Sequence, residues 1–415
     1  MTKDTHHFDV IVIGGGAAGL MAAGRAAERG RRVLLLEKNK RLGEKLRISG
    51  GGRCNVTNAE DDVKALLSNY GSSEQFLYSA FSEFGVKDTF KFFESRGLPL
   101  MVEGRKRAFP KSEKAVDVVN TLAAYVHDGK VEVRVATPLR KIIVSDGKIQ
   151  KIVISGGEYS ADSYILATGG VSHPETGSTG DGFVWLKELG HTVVEPTPTI
   201  VPLKSREAWI KSMSGKTLEG ARITFYSGDK KQFALNGNIL LTHFGLSGPT
   251  ILNCAGKVAD LLHEGKVTAK IDLFPLLDIG SLDIKLQEHF DNNKNKSLRN
   301  AMKDFLSAGT FEGLSSLIPG VDKEKKVHSV TKSERRALVD TFKSLPVTIT
   351  GLMGFERAVV ADGGVPLTEV DTRTMRSLRD PNLFILGDLL HIRRPSGGYS
   401  LQLCWTTGYV AGNSV

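Results

Sequence analysis

An α/β fold is predicted for this chain: a Rossmann-like dinucleotide-binding unit, interrupted by a β-rich insertion that carries a small helical cap. Three observations lead there. The segment FDVIVIGGGAAGLMAAGRAAERGRRVLLLEK, Phe8–Lys38, sets Gly14-x-Gly16-x-x-Gly19 between an apolar run and a helical one. NLFILGD, Asn382–Asp388, repeats an apolar run ending in glycine and an acid at the far end of the chain. Between Glu195 and Val347 the pattern changes to short strand signals such as Ala221–Tyr226, Ile239–Thr242 and Val267–Leu273. The expected domains are therefore a discontinuous unit, 1–194 with 348–415, and an inserted unit, 195–347, with a helical subdomain nested at 276–345.

A chain of 415 residues exceeds one ordinary core, which agrees with two domains. Its 40% hydrophobic and 24% charged residues describe a globular protein, and no run of roughly 18 apolar residues exists to span a bilayer. Val10–Ile13 is too short and too glycine-bounded for a signal peptide, so the cytoplasm is the expected compartment, with no membrane partner. Cys54, Cys254 and Cys404 are far apart and form no Cys-x-x-Cys pair, so neither a thiol redox couple nor a metal site is expected. The net charge of +9 is spread along the chain, apart from a cluster of Lys38, Lys40, Arg41, Lys45, Arg47 and Arg53 just beyond the glycine motif. A phosphate-bearing cofactor explains that cluster more directly than a nucleic acid, for which no reading motif is recognisable.

Taken in order, Phe8–Ile13 reads as a central parallel strand and Ala17–Arg29 as the helix after it. Gly14 allows the tight turn, Gly15 and Gly16 let the backbone approach a pyrophosphate, and Gly19 lets the helix pack closely on the strand. The anion would rest on the free N–H groups at the helix start, around Ala17 and Ala18. Val33–Leu36 is the second strand, and Glu37, eighteen residues after Gly19, is placed for a ribose, with Lys38 beside it. Ser49-Gly50-Gly51-Gly52-Arg53-Cys54-Asn55 exposes main-chain N–H groups, and Arg47 and Arg53 bring positive charge to a diphosphate. ADSYILATGG, Ala161–Gly170, is a third buried strand whose end, Thr168-Gly169-Gly170, passes close to a cofactor.

NAD and FAD share the opening motif, so the far end of the chain has to choose. There Gly387-Asp388 is followed by SGGYSLQ, Ser396–Gln402, and a helix marked by Leu403, Thr407 and Val410. A carboxylate and a second helix start suit a ribityl chain and a flavin's pyrimidine ring, whose developing negative charge the N–H groups around Gly397, Gly398, Tyr399, Ser400 and Leu401 would stabilise.

At this point the chain resembles the BaiN-like, aminoacetone-oxidase family of FAD-binding NAD(P)/FAD-dependent oxidoreductases, related in fold to fumarate-reductase flavoproteins. The likeness spans almost the whole chain and rests on RISGGGRCNVTN (Arg47–Asn58), ATGGVSHPETGSTGDG (Ala167–Gly182), THFGLSGPTIL (Thr242–Leu252), GFERAVVADGGV (Gly354–Val365) and SGGYSLQ. The resemblance implies non-covalent FAD, with pyrophosphate at Gly14, Gly16 and Gly19 and adenosine ribose at Glu37. It also implies that Ser49–Asn55 wraps the cofactor, Asp388 meets the ribityl chain, Gly398–Gln402 flanks the isoalloxazine and Leu139 offers its backbone to adenine. One segment departs from the family pattern: where relatives have a GE-x-L-D-x-D-G-like run, this chain has GDLLHIRRPSGG, with His391, Arg393 and Arg394 in place of acids.

The insertion supplies helical stripes at Leu282, Leu286 and Phe290 and at Leu298, Met302 and Phe305, and a capping box at Thr331 and Glu334 before Leu338 and Phe342. Substrate is expected where the flavin faces this middle segment. Hydride transfer between flavin N5 and a small organic substrate is the expected chemistry, with NADH or NADPH as a transient reductant because no second glycine motif builds a separate nicotinamide domain. His173, His243, Arg53 and Tyr399 are the candidate catalytic groups, each inside one of the motifs above. Two other classes stay open: a flavoprotein acting on tRNA, suggested by Arg105-Lys106-Arg107 and the basic balance, and a non-catalytic redox-sensing flavoprotein. Oligomeric state is not legible.

Overall fold

The computed structural model describes residues 7–307 and 309–415. Two compact units divide them: one runs to Pro198 and resumes at Phe355, and the other spans Thr199–Gly354. The first is built on a sheet whose opening strand, His7–Ile13, lies parallel to Val33–Leu36 on one side and to Gly157–Leu166 on the other. Leu383–Ile385 continues the parallel order beyond Gly157–Leu166, and Glu132–Arg134 continues it beyond Val33–Leu36. Ile11, Val12, Leu34 and Leu35 are fully buried, as a parallel sheet covered on both faces requires. The last parallel strand is shorter than the Asn382–Asp388 expected, because a tight turn at Gly387–Leu389, with Gly387 at φ 57°, ends it early.

The two ends of the chain meet along one helix pair. An opening helix, Ala17–Glu28, follows the first strand, and a closing helix, Tyr399–Ser414, ends the chain. A Cβ added at Gly408 would come within 2.5 Å of the Ala18 carbonyl oxygen, and one at Gly412 within 2.6 Å of that of Ala22. Both contacts advance by four residues, so the helices run parallel with only glycine between their backbones. Their N-termini therefore lie at the same end. Arg25 fastens the other end, donating to Asn413 Oδ1 at 2.8 Å and covering the Tyr409 ring.

A polar clasp holds the Val370–Asp371 and Arg376–Ser377 hairpin to the end of the Asp181–Glu188 helix. His191, with a fully buried side chain, lies 2.7 Å from Glu369 through Nδ1 and 2.9 Å from Ser377 Oγ through Nε2. Arg379 reaches the same Glu369 carboxylate at 3.1 Å.

In the second unit, six strands close an antiparallel barrel in the order Leu203–Ser205, Gly245–Ser247, Lys230–Thr242, Thr217–Ser227, Val267–Asp272 and Leu345–Leu352. Helices Ile279–Asp291, Leu298–Phe305 and Lys332–Lys343 form a cap between the last two of these strands. Leu282, Leu286 and Phe290 are buried in it, and Thr331 and Glu334 cap one another's backbones at 2.7 and 3.2 Å. The unit begins and ends a few residues later than the sequence pattern suggests. Val194–Thr199 pairs with Val360–Gly364 in the two-stranded sheet outside the barrel, whereas Leu345–Leu352 is needed to close the barrel against Leu203–Ser205 and Val267–Asp272.

Gly408→Val should destabilise the first unit by about 1–3 kcal/mol through overpacking of the helix seam, read as a lower denaturant midpoint. Acid unfolding tests the clasp. Burial pushes the Glu369 carboxyl up, but Thr192, His191 and Arg379 outweigh it and hold it at about 2, from an ordinary 4.5. The stability it contributes is then present above 4.5 and is lost as pH falls towards 2. Glu369→Gln should remove that part of the acid dependence; an unchanged acid limb would contradict the clasp.

Candidate dinucleotide and flavin site

The parallel strands Val33–Leu36, His7–Ile13, Gly157–Leu166 and Leu383–Ile385 all end at one edge of the sheet, and Gly14, Glu37, Thr168 and Gly387 follow closely on those ends. In open α/β sheets the carboxyl edge of the strands is where ligands bind. Gly14, at φ 110°, makes the turn; a Cβ there would come within 2.5 Å of the Ala167 carbonyl oxygen, and one at Gly19 would overlap the Gly14 carbonyl oxygen. Gly16 differs from both. Nothing lies within 4 Å of a Cβ added to it, so this glycine is not required by the protein's own packing.

Glu37 fastens the loop. Its buried carboxylate accepts from the Gly15 N–H and the Asn39 N–H, both at 2.8 Å, which leaves lone pairs for a ribose hydroxyl. Thr137 donates its N–H to the Glu37 carbonyl, bringing 136–137 to this end, while Leu139 lies beyond it as the buried first residue of a hairpin, paired with Ile154. Lys38 turns to Asp181 at 2.8 Å and to Thr179 at 2.5 Å. Beside Gly14, the buried hydroxyl of Thr168 has no hydrogen-bond partner among the described residues.

Both helices begin here without a capping side chain, the opening one after Gly16 and the closing one after Gly398. The first-turn N–H groups of each and the positive ends of both helix dipoles thus serve one edge of the sheet. Gly398, at φ 103°, fits because a Cβ would come within 2.5 Å of the Asn58 nitrogen; Asn58 Nδ2 donates to the Gly397 carbonyl at 3.2 Å. The Asn55 amide, oriented to satisfy both its ends, accepts from the Gly398 N–H at 3.0 Å and donates to the Thr57 carbonyl. Ser49–Gly52 is a tight turn with Gly50 and Gly51 left-handed, closed by the Cys54 N–H donating to the Ser49 carbonyl at 3.0 Å. Burial pushes the Cys54 thiol up to about 12, so it is no thiolate nucleophile.

Other candidates are occupied differently. Arg53 binds both Glu103 and Glu113 and lies over Phe109, so two carboxylates already neutralise it. Arg47 donates to the Leu42 carbonyl at 3.3 Å. Gln402 is fully buried, accepting from Thr57 and Thr89 hydroxyls at 2.6 and 3.0 Å, which makes it a joint between the closing helix and its neighbours. His173 holds Glu175 at 2.8 Å from a left-handed backbone. Tyr399 packs edge-on against Tyr70, whose hydroxyl donates to the Tyr399 carbonyl at 2.9 Å; burial raises the Tyr399 phenol, which keeps it protonated. Ser400 Oγ accepts from Arg394, and Leu401 is half-buried against the core. His243 belongs to the barrel unit.

Asp388 is the most charged point of the edge. Arg394 binds one carboxylate oxygen, and Lys45 approaches the other at 3.1 Å while donating to Ser172 Oγ at 2.7 Å. Burial pushes the Asp388 carboxyl up, yet Lys45 and Arg394 outweigh it and hold it below the ordinary value. Lys45 was visible in the sequence only as a member of a basic cluster, Arg394 only as a departure from the family pattern, and Ser172 gave no signal. Among the described residues no cluster of His, Cys, Asp and Glu converges to hold a metal, and no helix is long and apolar enough to cross a membrane.

A glycine loop, a buried acid fastening it and two uncapped helix starts on the carboxyl edge of a parallel sheet define a Rossmann-type flavoprotein oxidoreductase. The chain belongs to the HI0933-like Rossmann-domain family, whose description matches residues 8–414. It is 28% identical over 412 residues to a 3-dehydro-bile acid delta(4,6)-reductase of Clostridium scindens, covering 97% of this chain and 98% of that one. It is likewise 28% identical over 407 residues to a ribosomal RNA dihydrouridine synthase of Escherichia coli, covering 97% and 96%. The fold is shared with a flavocytochrome c3 fumarate reductase, at a TM-score of 0.55 and 18% identity over 99% of this chain and 78% of that one. It is shared too with a 3-ketosteroid delta1-dehydrogenase of Sterolibacterium denitrificans, at 0.54 and 13% over 99% of both.

Glycine replacements should separate fold from ligand. Gly16→Ala should leave the ligand-free protein within about 1 kcal/mol of the parent, since only a helix cap changes, yet weaken dinucleotide binding at least tenfold, ~1.4 kcal/mol. Gly19→Ala should unfold the unit. Titrating both variants with FAD while following thermal stability checks this, and undiminished affinity in Gly16→Ala would contradict it.

Proposed function

We propose that this oxidoreductase binds FAD in extended form along the sheet edge and reduces a carbon–carbon double bond conjugated to a carbonyl. Bound there, FAD would supply a hydride at N5. The observation that carries the reading is the pair of parallel helices with uncapped starts, one suited to a diphosphate and the other to negative charge on a pyrimidine ring. The glycine loop and Glu37 would hold the adenosine half, and Asp388 with Lys45 the ribityl half. The Tyr399 hydroxyl, kept protonated by burial, is suited to give the proton that accompanies hydride addition.

The bond type follows from two relatives. A delta(4,6)-reductase of a 3-dehydro-bile acid and a synthase of dihydrouridine both add two hydrogens across a double bond conjugated to a carbonyl, in unrelated substrates. A conjugated carbonyl makes the far carbon electrophilic, which matches a hydride donor. A small organic enone is the first reading, with NADH or NADPH as reductant.

RNA is the second reading. The hairpin tip at Arg105 and Lys106 is exposed, both residues are left-handed, at φ 62° and 57°, and the chain carries a formal charge of +9. Lys106 is paired with Glu60 at 2.7 Å, and the exposed Arg105 cation beside it suits a phosphate backbone.

Anaerobic mixing tests both. NADH or NADPH should bleach the flavin, and a steroid dienone should restore its colour and gain two hydrogens. Turnover of a uridine-containing ribosomal RNA fragment in place of the dienone, lost on raising salt, would support the second reading. A flavin that neither substrate reoxidises faster than free flavin would overturn both.

A further inference from the structure

We propose that Arg394 is a charge-setting residue that holds the reduced flavin as an anion and raises its reduction potential; this rests on the flavin reading above. Every nitrogen of the guanidinium is engaged: Nε donates to Ser400 Oγ at 3.0 Å, Nη1 to the Ile392 carbonyl at 2.6 Å and Nη2 to Asp388. Its side chain is 1% exposed. Ser400 lies in the first turn of the closing helix, so a permanent cation is fixed against a helix start that is itself positive and uncapped.

An arginine buried only to neutralise Asp388 would leave no net charge. Lys45 brings a second cation to the same carboxylate, so Lys45, Arg394 and Asp388 together sum to one positive charge (+1 +1 −1). The neighbouring groups do not cancel it. Burial raises the Tyr70 phenol and raises the Cys404 thiol to about 12, so both are neutral near pH 7. Glu60 and Lys106, which face Tyr399, pair with one another at 2.7 Å. Arg393, whose side chain is 58% exposed, is matched by Asp362 at 3.3 Å. Guanidinium does not deprotonate in proteins, so the Arg394 charge persists across the working pH range.

Two-electron reduction places negative charge on the isoalloxazine unless a second proton follows. A buried cation held through Ser400 at the helix start that would flank the ring favours uptake of two electrons and one proton over two electrons and two protons. The hydride later given to an acceptor carries both electrons away, so the acceptor's proton must come from a protein group or water.

The test is a redox titration of the holoenzyme with dithionite, repeated across pH. Arg394→Gln should lower the midpoint potential by about 30 mV or more, the tenfold constant for a two-electron couple, and restore uptake of the second proton. Arg394→Lys should keep the parent potential, and so should Arg393→Gln. Lys45→Gln should fall as Arg394→Gln does, and serves in its place if the latter retains no flavin. A parent-like potential and proton uptake in whichever of these two holds flavin would overturn the proposal. A parent protein that takes up no flavin would overturn the reading beneath it.

Discussion

The close approach of the opening and closing helices is the constraint on which the rest depends. Gly408 and Gly412 let the Tyr399–Ser414 helix lie against the carbonyl oxygens of Ala18 and Ala22, in parallel with the Ala17–Glu28 helix. Residues nearly four hundred positions apart thereby become one surface. Parallel packing makes two helix dipoles point the same way, which is unfavourable unless anionic groups lie at their two positive ends, staggered by about 12 Å along the seam. Neither start carries a capping side chain, so the N–H groups that would satisfy the helices internally stay available to a ligand.

Around that seam, the cofactor half and the electrostatic half of the edge are built by different means. Glycines whose Cβ would strike backbone, Gly14, Gly19 and Gly398, bring main chain together, while Gly16 leaves space that the protein itself does not fill. Charge is concentrated at the other end, where Lys45 and Arg394 converge on Asp388. Buried ion pairs of this kind give modest net stability, because desolvation offsets most of the attraction. The unequal count of cations and anions at Asp388 would instead set the charge that a bound flavin meets.

Much of the first unit could be read in the sequence because its signals are local. A glycine triplet after an apolar run, an acid eighteen residues on, and an apolar strand just before Gly387-Asp388 each depend on neighbours within one turn or one strand. The helical cap was legible for the same reason, through the Leu282, Leu286, Phe290 stripe and the Thr331, Glu334 box. Closure of the barrel was not, since it needs the three-residue Leu203–Ser205 strand to pair with Leu345–Leu352, and periodicity says nothing of partners so distant. Side-chain destinations were the least legible part. Arg53 reads as a phosphate contact until Glu103 and Glu113, fifty and sixty residues away, are brought to it, and Gln402 reads as a ligand contact until Thr57 and Thr89 close over it. Arg394 shows the converse, a basic residue in a loop-like run that becomes one of the most enclosed charges of the unit.

The central claim is that both helix starts grip one molecule, a diphosphate at the first and an isoalloxazine at the second. Titration of flavin-free protein with FAD and, separately, with FMN tests it most directly, because FMN lacks the adenylate half that the glycine loop and Glu37 would hold. One FAD per chain should bind, with FMN at least a hundredfold weaker, a loss of about 2.7 kcal/mol. Equal affinity for the two, or binding of neither, would contradict the account.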